Sequence, residues 1–160
     1  NEDKNFINEG KKKEIDKLYL TSHRKIWFQN ENRLASNIWV PVFNRERIKF
    51  IYNDTKCKNL TCFHCIYPSK TLNKKLKLAL VGLLNLDSMK NHVMSQRRVY
   101  GGGLIKLEPK DILDIEIPDI TKFNDSIVKK LIKELYYQDE CSRNGKKYTS
   151  RINLKELRLK

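Results

Sequence analysis

The chain has 160 residues, with 33 lysines and arginines against 19 acidic residues, which gives a formal net charge of +14 at pH 7. This length suits one domain over residues 1–160 and is short for a large enzyme with its own cofactor fold. The excess charge points to a polyanionic partner, with nucleic acid first. No apolar run approaches the roughly 18 residues that span a membrane, and no hydrophobic signal segment is visible, so we expect a cytoplasmic protein without a membrane partner.

The opening residues are polar and charged, and they predict only a short helix that Ile15 and Leu18 support. Cations and aromatic residues then stand next to each other in the stretch His23–Phe28. Such a mixture either stacks on bases while pairing with phosphates, or forms a strand whose Trp27 enters the core. The sequence leaves both interpretations open.

The stretch Ile38–Pro68 predicts two strands folded on each other and a third one after them. Apolar residues stand at every second position, namely Val40, Val42, Ile48, Phe50 and Tyr52. The short polar link Asn44–Glu46 favours a hairpin. By the same alternation, Arg45, Arg47 and Lys49 share the opposite, solvent-facing side. The third strand covers Asn59–Ile66, and Pro68 ends it.

The next elements follow from apolar residues spaced by three and four. Leucines between Leu72 and Leu86 predict an amphipathic helix that Ser69 or Thr71 caps. Gly82 inside this helix indicates close packing against a neighbour. A more polar helix is predicted over 88–99, and a third one over 124–139. The fold class is therefore α+β, with a small mixed or antiparallel sheet packed against two to three helices.

Three consecutive glycines follow Tyr100 and precede a predicted strand over Leu104–Leu107. Glycines in such a run favour either a close approach of the backbone to a phosphate or base, or a tight bend between two elements. Both explanations stay open. After the predicted strand, Glu108–Asp111 predicts the start of a helix, because proline is tolerated in a first turn.

Cys57, Cys62 and Cys65, with His64 among them, form the one cluster with metal-like spacing. Adjacent residues of a strand point to opposite faces, so His64 and Cys65 do not converge on one ion, and we expect no metal site and reduced thiols.

Motifs of catalysis are not found either: the sequence has no phosphate-binding Gly-Lys-Ser/Thr motif and no Asx-Pro-Pro-aromatic motif. We therefore expect no catalytic residues in this chain.

Three blocks of sequence stand in a definite order and spacing. They are Trp39–Phe43 with Arg45, Arg47, Phe50 and Asn53; Asn59–Thr61 with Phe63–His64 and Tyr67–Pro68; and Arg98 with Tyr100–Leu104, Lys106, Glu108–Pro109 and Asp111. Together they resemble the C-terminal part of bacterial restriction–modification N6-adenine DNA methyltransferases, in which a target-recognition domain follows the catalytic domain.

The resemblance implies that this chain recognises double-stranded DNA and positions a target adenine. It also implies that the catalytic loop and the S-adenosylmethionine pocket lie in a methyltransferase domain upstream in the same polypeptide, with no cofactor in this chain. Cations that contact phosphates would give affinity, and contacts to base edges would give specificity. The residues that we expect at the DNA are Arg45, Arg47, Lys49, Asn59, Thr61, His64, Arg97, Arg98, Tyr100, Gly101, Gly102, Gly103 and Lys106.

Two alternatives from other classes remain. A metal-dependent restriction endonuclease would use Glu108 and Lys110, although Pro109 stands where a strand needs an N–H. An RNA-binding module would use the same charge and aromatic residues on single strands.

Overall fold

The structure is a computed structural model, and it describes residues 2–29, 33–45, 47–95 and 98–157. The chain divides into two compact units, Asn1–Leu34 and Ala35–Lys160, which are described separately below. The single domain over residues 1–160 stays a prediction. In the described ranges, no helix is long and apolar enough to cross a lipid bilayer.

The first unit contains α1 (Glu2–Lys12), a 3-10 turn (Ile15–Lys17) and α2 (Tyr19–Ser22). The short helix predicted from Ile15 and Leu18 is confirmed only in part, because Leu18 is extended and separates the turn from α2. Helix α1 was not predicted. Residues 23–28 form turns and bends, so the strand alternative for this stretch is wrong. Trp27 instead lies against α1, where a Cβ on Gly10 would come 3.2 Å from two carbons of its ring.

The described part of the second unit contains two three-stranded antiparallel sheets, with the strand orders β3-β1-β4 and β2-β6-β5. The strands are β1 (Ile38–Pro41), β2 (Phe43–Asn44), β3 (Ile51–Tyr52), β4 (Phe63–Ile66), β5 (Arg98–Tyr100) and β6 (Leu104–Lys106). The chain passes from β1 through a bend at Val42 into β2, so one short stretch of chain serves both sheets.

The predicted hairpin is confirmed in direction and register but not in extent. β1 pairs antiparallel with β3, and Ile38 stands opposite Tyr52, as a link at residues 44–46 requires. Pairing then stops at Trp39 and Ile51, because β2 pairs with β6 instead. The third predicted strand forms as β4, but only from Phe63 onward.

Next to the edge strand β3, one side chain takes the place of a neighbouring strand. The buried amide of Asn85 donates from Nδ2 to the Phe50 carbonyl at 2.8 Å, and its Oδ1 accepts from the Phe50 N–H at 2.9 Å. Both backbone groups of this buried residue are thereby satisfied, as burial requires.

The helices of the second unit are α3 (Lys74–Leu84), α4 (Asp87–Ser95), α5 (Pro109–Leu113) and α6 (Asp125–Arg143). Asn124 caps α6 by accepting from the N–H of Ile127, near the predicted start. The predicted caps of α3 are wrong: the hydroxyls of Ser69 and Thr71 bond each other, and Asn73 caps the helix.

Helices α3 and α6 pack closely at Gly82. A Cβ at this position would lie 2.9 Å from the carbonyl carbon of Leu131, so the predicted close packing is confirmed. The buried core joins these helices to the inward faces of the strands through side chains such as Val40, Phe50 and Leu83. Antiparallel sheets on packed helices confirm the α+β class.

The segment after α6 is held by polar groups, and its one described element is a 3-10 turn, Leu154–Glu156. The Glu134 carboxylate is 3% exposed, and it accepts from the Tyr148 hydroxyl and the Arg151 N–H, both at 2.9 Å. Burial raises the pKa of the Tyr148 phenol above its ordinary value of 10, so the hydroxyl remains a hydrogen-bond donor well above neutral pH.

Candidate nucleic-acid interface

The second sheet brings the hairpin stretch and the glycine segment together. In this sheet Phe43 stands opposite Lys106, and Lys106 stands opposite Arg98 on its other side. Just beyond, the Leu107 N–H donates to the Val42 carbonyl at 3.1 Å. Two segments that are distant in sequence therefore form one continuous surface.

His64 joins the second block, Asn59–Pro68, to this sheet. Its Nε2 lies 2.8 Å from the Leu107 carbonyl, and since a carbonyl only accepts, Nε2 carries the proton. In the first sheet, His64 stands opposite Val40 of β1. The imidazole therefore connects the two sheets, and all three blocks that carried the resemblance meet here.

The three glycines form the turn of the β5–β6 hairpin, in which Tyr100 stands opposite Leu104. Gly102 and Gly103 both adopt φ 73°, so a tight bend accounts for these two. Gly101 has no positive φ, and a Cβ there would meet nothing within 4 Å. The fold itself gives no steric reason for a glycine at position 101.

An aromatic side chain and two cations belong to the same stretch of sheet as this turn. Alternation along the β1–β2 run buries Val42 and Asn44, and it leaves Phe43 54% exposed. The Lys106 Nζ lies 5.9 Å from the centre of the Phe43 ring and pairs with Glu108 at 2.7 Å. We call the surface formed by Phe43, the exposed Arg45, Gly101–Gly103 and Lys106 the glycine-turn face.

Arg47 and Lys49 have partners inside the fold. The Arg47 guanidinium donates to Asp87 at 2.9 Å and to the Asn85 carbonyl, and it lies 4.6 Å above the Tyr148 ring. The Lys49 ammonium lies 3.4 Å from Asp139. Arg47 therefore connects the sheet region to α4 and the C-terminal segment, and Lys49 connects it to α6.

The Asn59 amide shapes the turn before β4. It donates to the carbonyls of Leu60 at 2.9 Å and Phe63 at 2.8 Å, and it accepts from the Cys65 thiol at 2.6 Å. Thr61 lies exposed in the same turn. All four cysteines carry free thiols, and the described residues contain no group of three or more His, Cys, Asp or Glu suited to a metal ion.

The remaining expected contact residues are described only in part. Arg98 and Tyr100 contribute backbone to β5, whereas Arg97 lies outside the described residues.

Phe43 was not among the residues expected at DNA. The signal was present, because the alternation that put Arg45 on the solvent-facing side also applies two residues earlier.

The carboxylates of Glu108 and Asp111 form hydrogen bonds and an ion pair at the start of α5. The Glu108 N–H donates to the Asp111 carboxylate at 2.8 Å, and Pro109 occupies the first turn, so the predicted helix start is confirmed. Because Glu108 also pairs with Lys106, these groups stabilise a helix terminus and the adjacent strand.

Comparison with known proteins identifies the family. Residues 1–152 match the family described as Type II methyltransferase M.Eco57I, C-terminal domain. The Type II methyltransferase M.AccI of Acinetobacter calcoaceticus is 35% identical over 154 residues, which cover 92% of this chain and 28% of that protein. The Type II methyltransferase M.XamI of Xanthomonas campestris pv. amaranthicola is 29% identical over 115 residues, 72% of this chain and 21% of that protein. No solved structure matches. The chain thus spans less than a third of these relatives, and it belongs to the family of C-terminal domains of Type II methyltransferases typified by M.Eco57I.

Proposed function

We propose that this chain binds double-stranded DNA in the cytoplasm and recognises the target sequence of a Type II methyltransferase of a restriction–modification system. The observation that carries the proposal is the second sheet, which joins the hairpin stretch to the glycine turn on one exposed surface. Family membership and the net charge of +14 support the same conclusion.

The residues that the sequence predicted at the DNA divide, together with Phe43, into two groups. Arg45 and Lys106 contact phosphates, Phe43 and the glycine turn approach the duplex, and Arg97, Arg98, Tyr100 and Thr61 provide further contacts to phosphates or base edges. Arg47, Lys49, Asn59 and His64 build the surface through the internal contacts described above. The proposed contact residues thus exclude these four, whose side chains are engaged inside the second unit, and they retain Lys106, which pairs with Glu108 where both side chains are partly exposed.

The catalytic domain precedes this chain in the same polypeptide and binds S-adenosylmethionine there. The target base is an adenine, which is methylated on N6. A base must leave the stack before a catalytic pocket reaches it, so the glycine-turn face also holds the distorted duplex.

Salt dependence of binding tests the proposal. We expect the chain to bind a DNA duplex with an affinity that falls steeply as salt rises, and Arg45→Ala to reduce the slope of log K against log salt by about 0.9. Lys106→Ala should act similarly. Arg143→Ala is the matched control, because it removes an equal charge at the exposed end of α6.

An unchanged slope in both Arg45→Ala and Lys106→Ala would contradict the proposed face. Equal or tighter binding of single-stranded RNA in direct competition would favour an RNA-binding module instead.

A further inference from the structure

The first unit, Asn1–Leu34, exposes many large apolar side chains for its size. The exposed fraction is 73% for Phe6, 78% for Tyr19 and 72% for Leu20. The exposed set consists of Phe6, Leu18, Tyr19, Leu20, Ile26 and Phe28. Six exposed large apolar side chains in a unit of 34 residues mark a candidate site of interaction.

The first unit also has a groove of about 130 Å³, lined by Phe6, Ile15, Trp27 and the stems of Glu9 and Lys13 around Gly10. A segment of 34 residues is too short to bury a core of its own, and segments below about 40 residues usually depend on another body. In the described structure, every member of the buried hydrophobic core lies between Ile38 and Leu157. The first unit therefore requires a partner surface for its apolar side chains.

The charge of the first unit argues against nucleic acid as this partner. The sequence of residues 1–34 holds eight lysines and arginines and six acidic residues, a net charge of +2, whereas residues 35–160 hold 25 and 13, a net charge of +12. The attraction to a polyanion thus resides in the second unit. An apolar, nearly balanced surface suits a protein partner.

The position of this chain within its relatives identifies the partner. It matches a C-terminal domain and covers 28% of M.AccI, so most of that protein precedes the matching part. Polypeptide that precedes residue 1 is tethered to α1, and the tether gives it a high effective concentration at this surface.

We propose that the exposed apolar side chains of the first unit dock on the catalytic part of the methyltransferase that precedes residue 1. The inference rests on the proposed function. In this assignment the first unit joins the two parts of the enzyme, and the second unit binds DNA.

Amide hydrogen exchange of the longer methyltransferase, without DNA, tests this assignment. We expect Leu20→Asp to accelerate exchange at least tenfold in a segment of the catalytic part, because a charge replaces an apolar contact. Phe6→Asp, on α1, should accelerate exchange in the same segment. Agreement between the two variants would show that the effect does not come from local unfolding of α2. Leu113→Asp is the matched control, because Leu113 is at least as exposed as Leu20, at 84% against 72%, but lies on α5 of the second unit.

Three outcomes overturn the assignment. Unchanged exchange in the catalytic part rules out the contact. Acceleration confined to residues 35–160 means that the first unit covers the second, and a halved particle mass in Leu20→Asp means that the partner is a second copy. Because DNA is absent, failure of duplex binding by the wild-type protein is a separate result and bears only on the proposed function.

Discussion

Gly101 and Gly102 are neighbours in one turn, and they differ in what the fold demands of them. Gly102 has φ 73°, where an L-residue costs about 1–2 kcal/mol, whereas Gly101 has no positive φ and open space around it. We expect Gly102→Ala to lower the free energy of unfolding by about 1–2 kcal/mol in urea denaturation. Gly101→Ala should leave stability within about 0.5 kcal/mol and still weaken duplex binding, because the added methyl group faces the proposed DNA.

If Gly101→Ala binds the duplex as tightly as the wild-type chain does, Gly101 does not lie at the interface with DNA. The comparison needs no further control, since each variant adds one methyl group to the same turn.

At the level of single residues, the sequence predicted the side of a strand on which a side chain lies better than it predicted the residues that this side chain contacts. Period-two alternation correctly buried Ile48 and Phe50 and placed Arg47 on the other side. It gave no sign of Asp87, which stands 40 residues away on another element and pairs with Arg47. Partners brought together by tertiary packing leave no trace in a local pattern, so the sequence predicted a solvent-facing cation where the fold has an internal anchor.

Asp125 links two helices at the start of α6. Its carboxylate lies 2.8 Å from the Lys129 ammonium and also pairs with Lys75 of α3. Hydrogen bonds from Lys129, and then from Lys75, lower the pKa of Asp125 from 3.8 to about 2. Because the folded pKa lies below the unfolded one, this contribution to stability is fully present above about pH 4 and is lost as the pH falls through about 2.

We therefore expect an NMR titration to give a midpoint of about 2 for the Asp125 carboxylate in the wild-type protein. Lys129→Ala should raise this midpoint toward 3.8, and added salt should do the same because the pair is exposed to solvent. Lys130→Ala, the neighbouring exposed lysine, is the control and should leave it unchanged. A wild-type midpoint near 4 would show that the pair does not form.

Elements with a long apolar stripe were predicted from the sequence, whereas the shortest strands and α1 were not. The leucine stripe gave α3, and the apolar face after Asn124 gave α6, because many residues repeat the same spacing. The strand β2 has two residues and β5 has three, too few to show an alternation of their own. Helix α1 was missed because Phe6 and Ile7 are its only large apolar residues. The second sheet, which carries the candidate interface, is therefore the part that required the structure.

At the scale of the whole molecule, core and charge both lie in the second unit. Every described member of the buried hydrophobic core falls between Ile38 and Leu157, and residues 35–160 hold +12 of the net charge of +14. We expect a chain of residues 35–160 to unfold cooperatively in a thermal melt followed by circular dichroism. Its salt dependence of duplex binding should match that of the 160-residue chain to within about one phosphate contact, a slope difference of about 0.9.

Loss of a cooperative transition in the shortened chain would show that the first unit is needed to complete the core. A slope reduced by more than about two phosphate contacts would instead assign part of the DNA surface to residues 1–34.

The amide of Asn85 has a consequence for how this protein behaves among other copies of itself. An edge strand with open backbone groups is a template for another chain, and aggregation commonly begins there. β3 is such an edge, and Asn85 occupies both groups of the adjoining Phe50. Aspartate at position 85 would turn a second acceptor toward the Phe50 carbonyl, and leucine would offer neither group. Asn85 therefore closes both backbone groups of Phe50 to an incoming chain, and neither aspartate nor leucine at this position would close both.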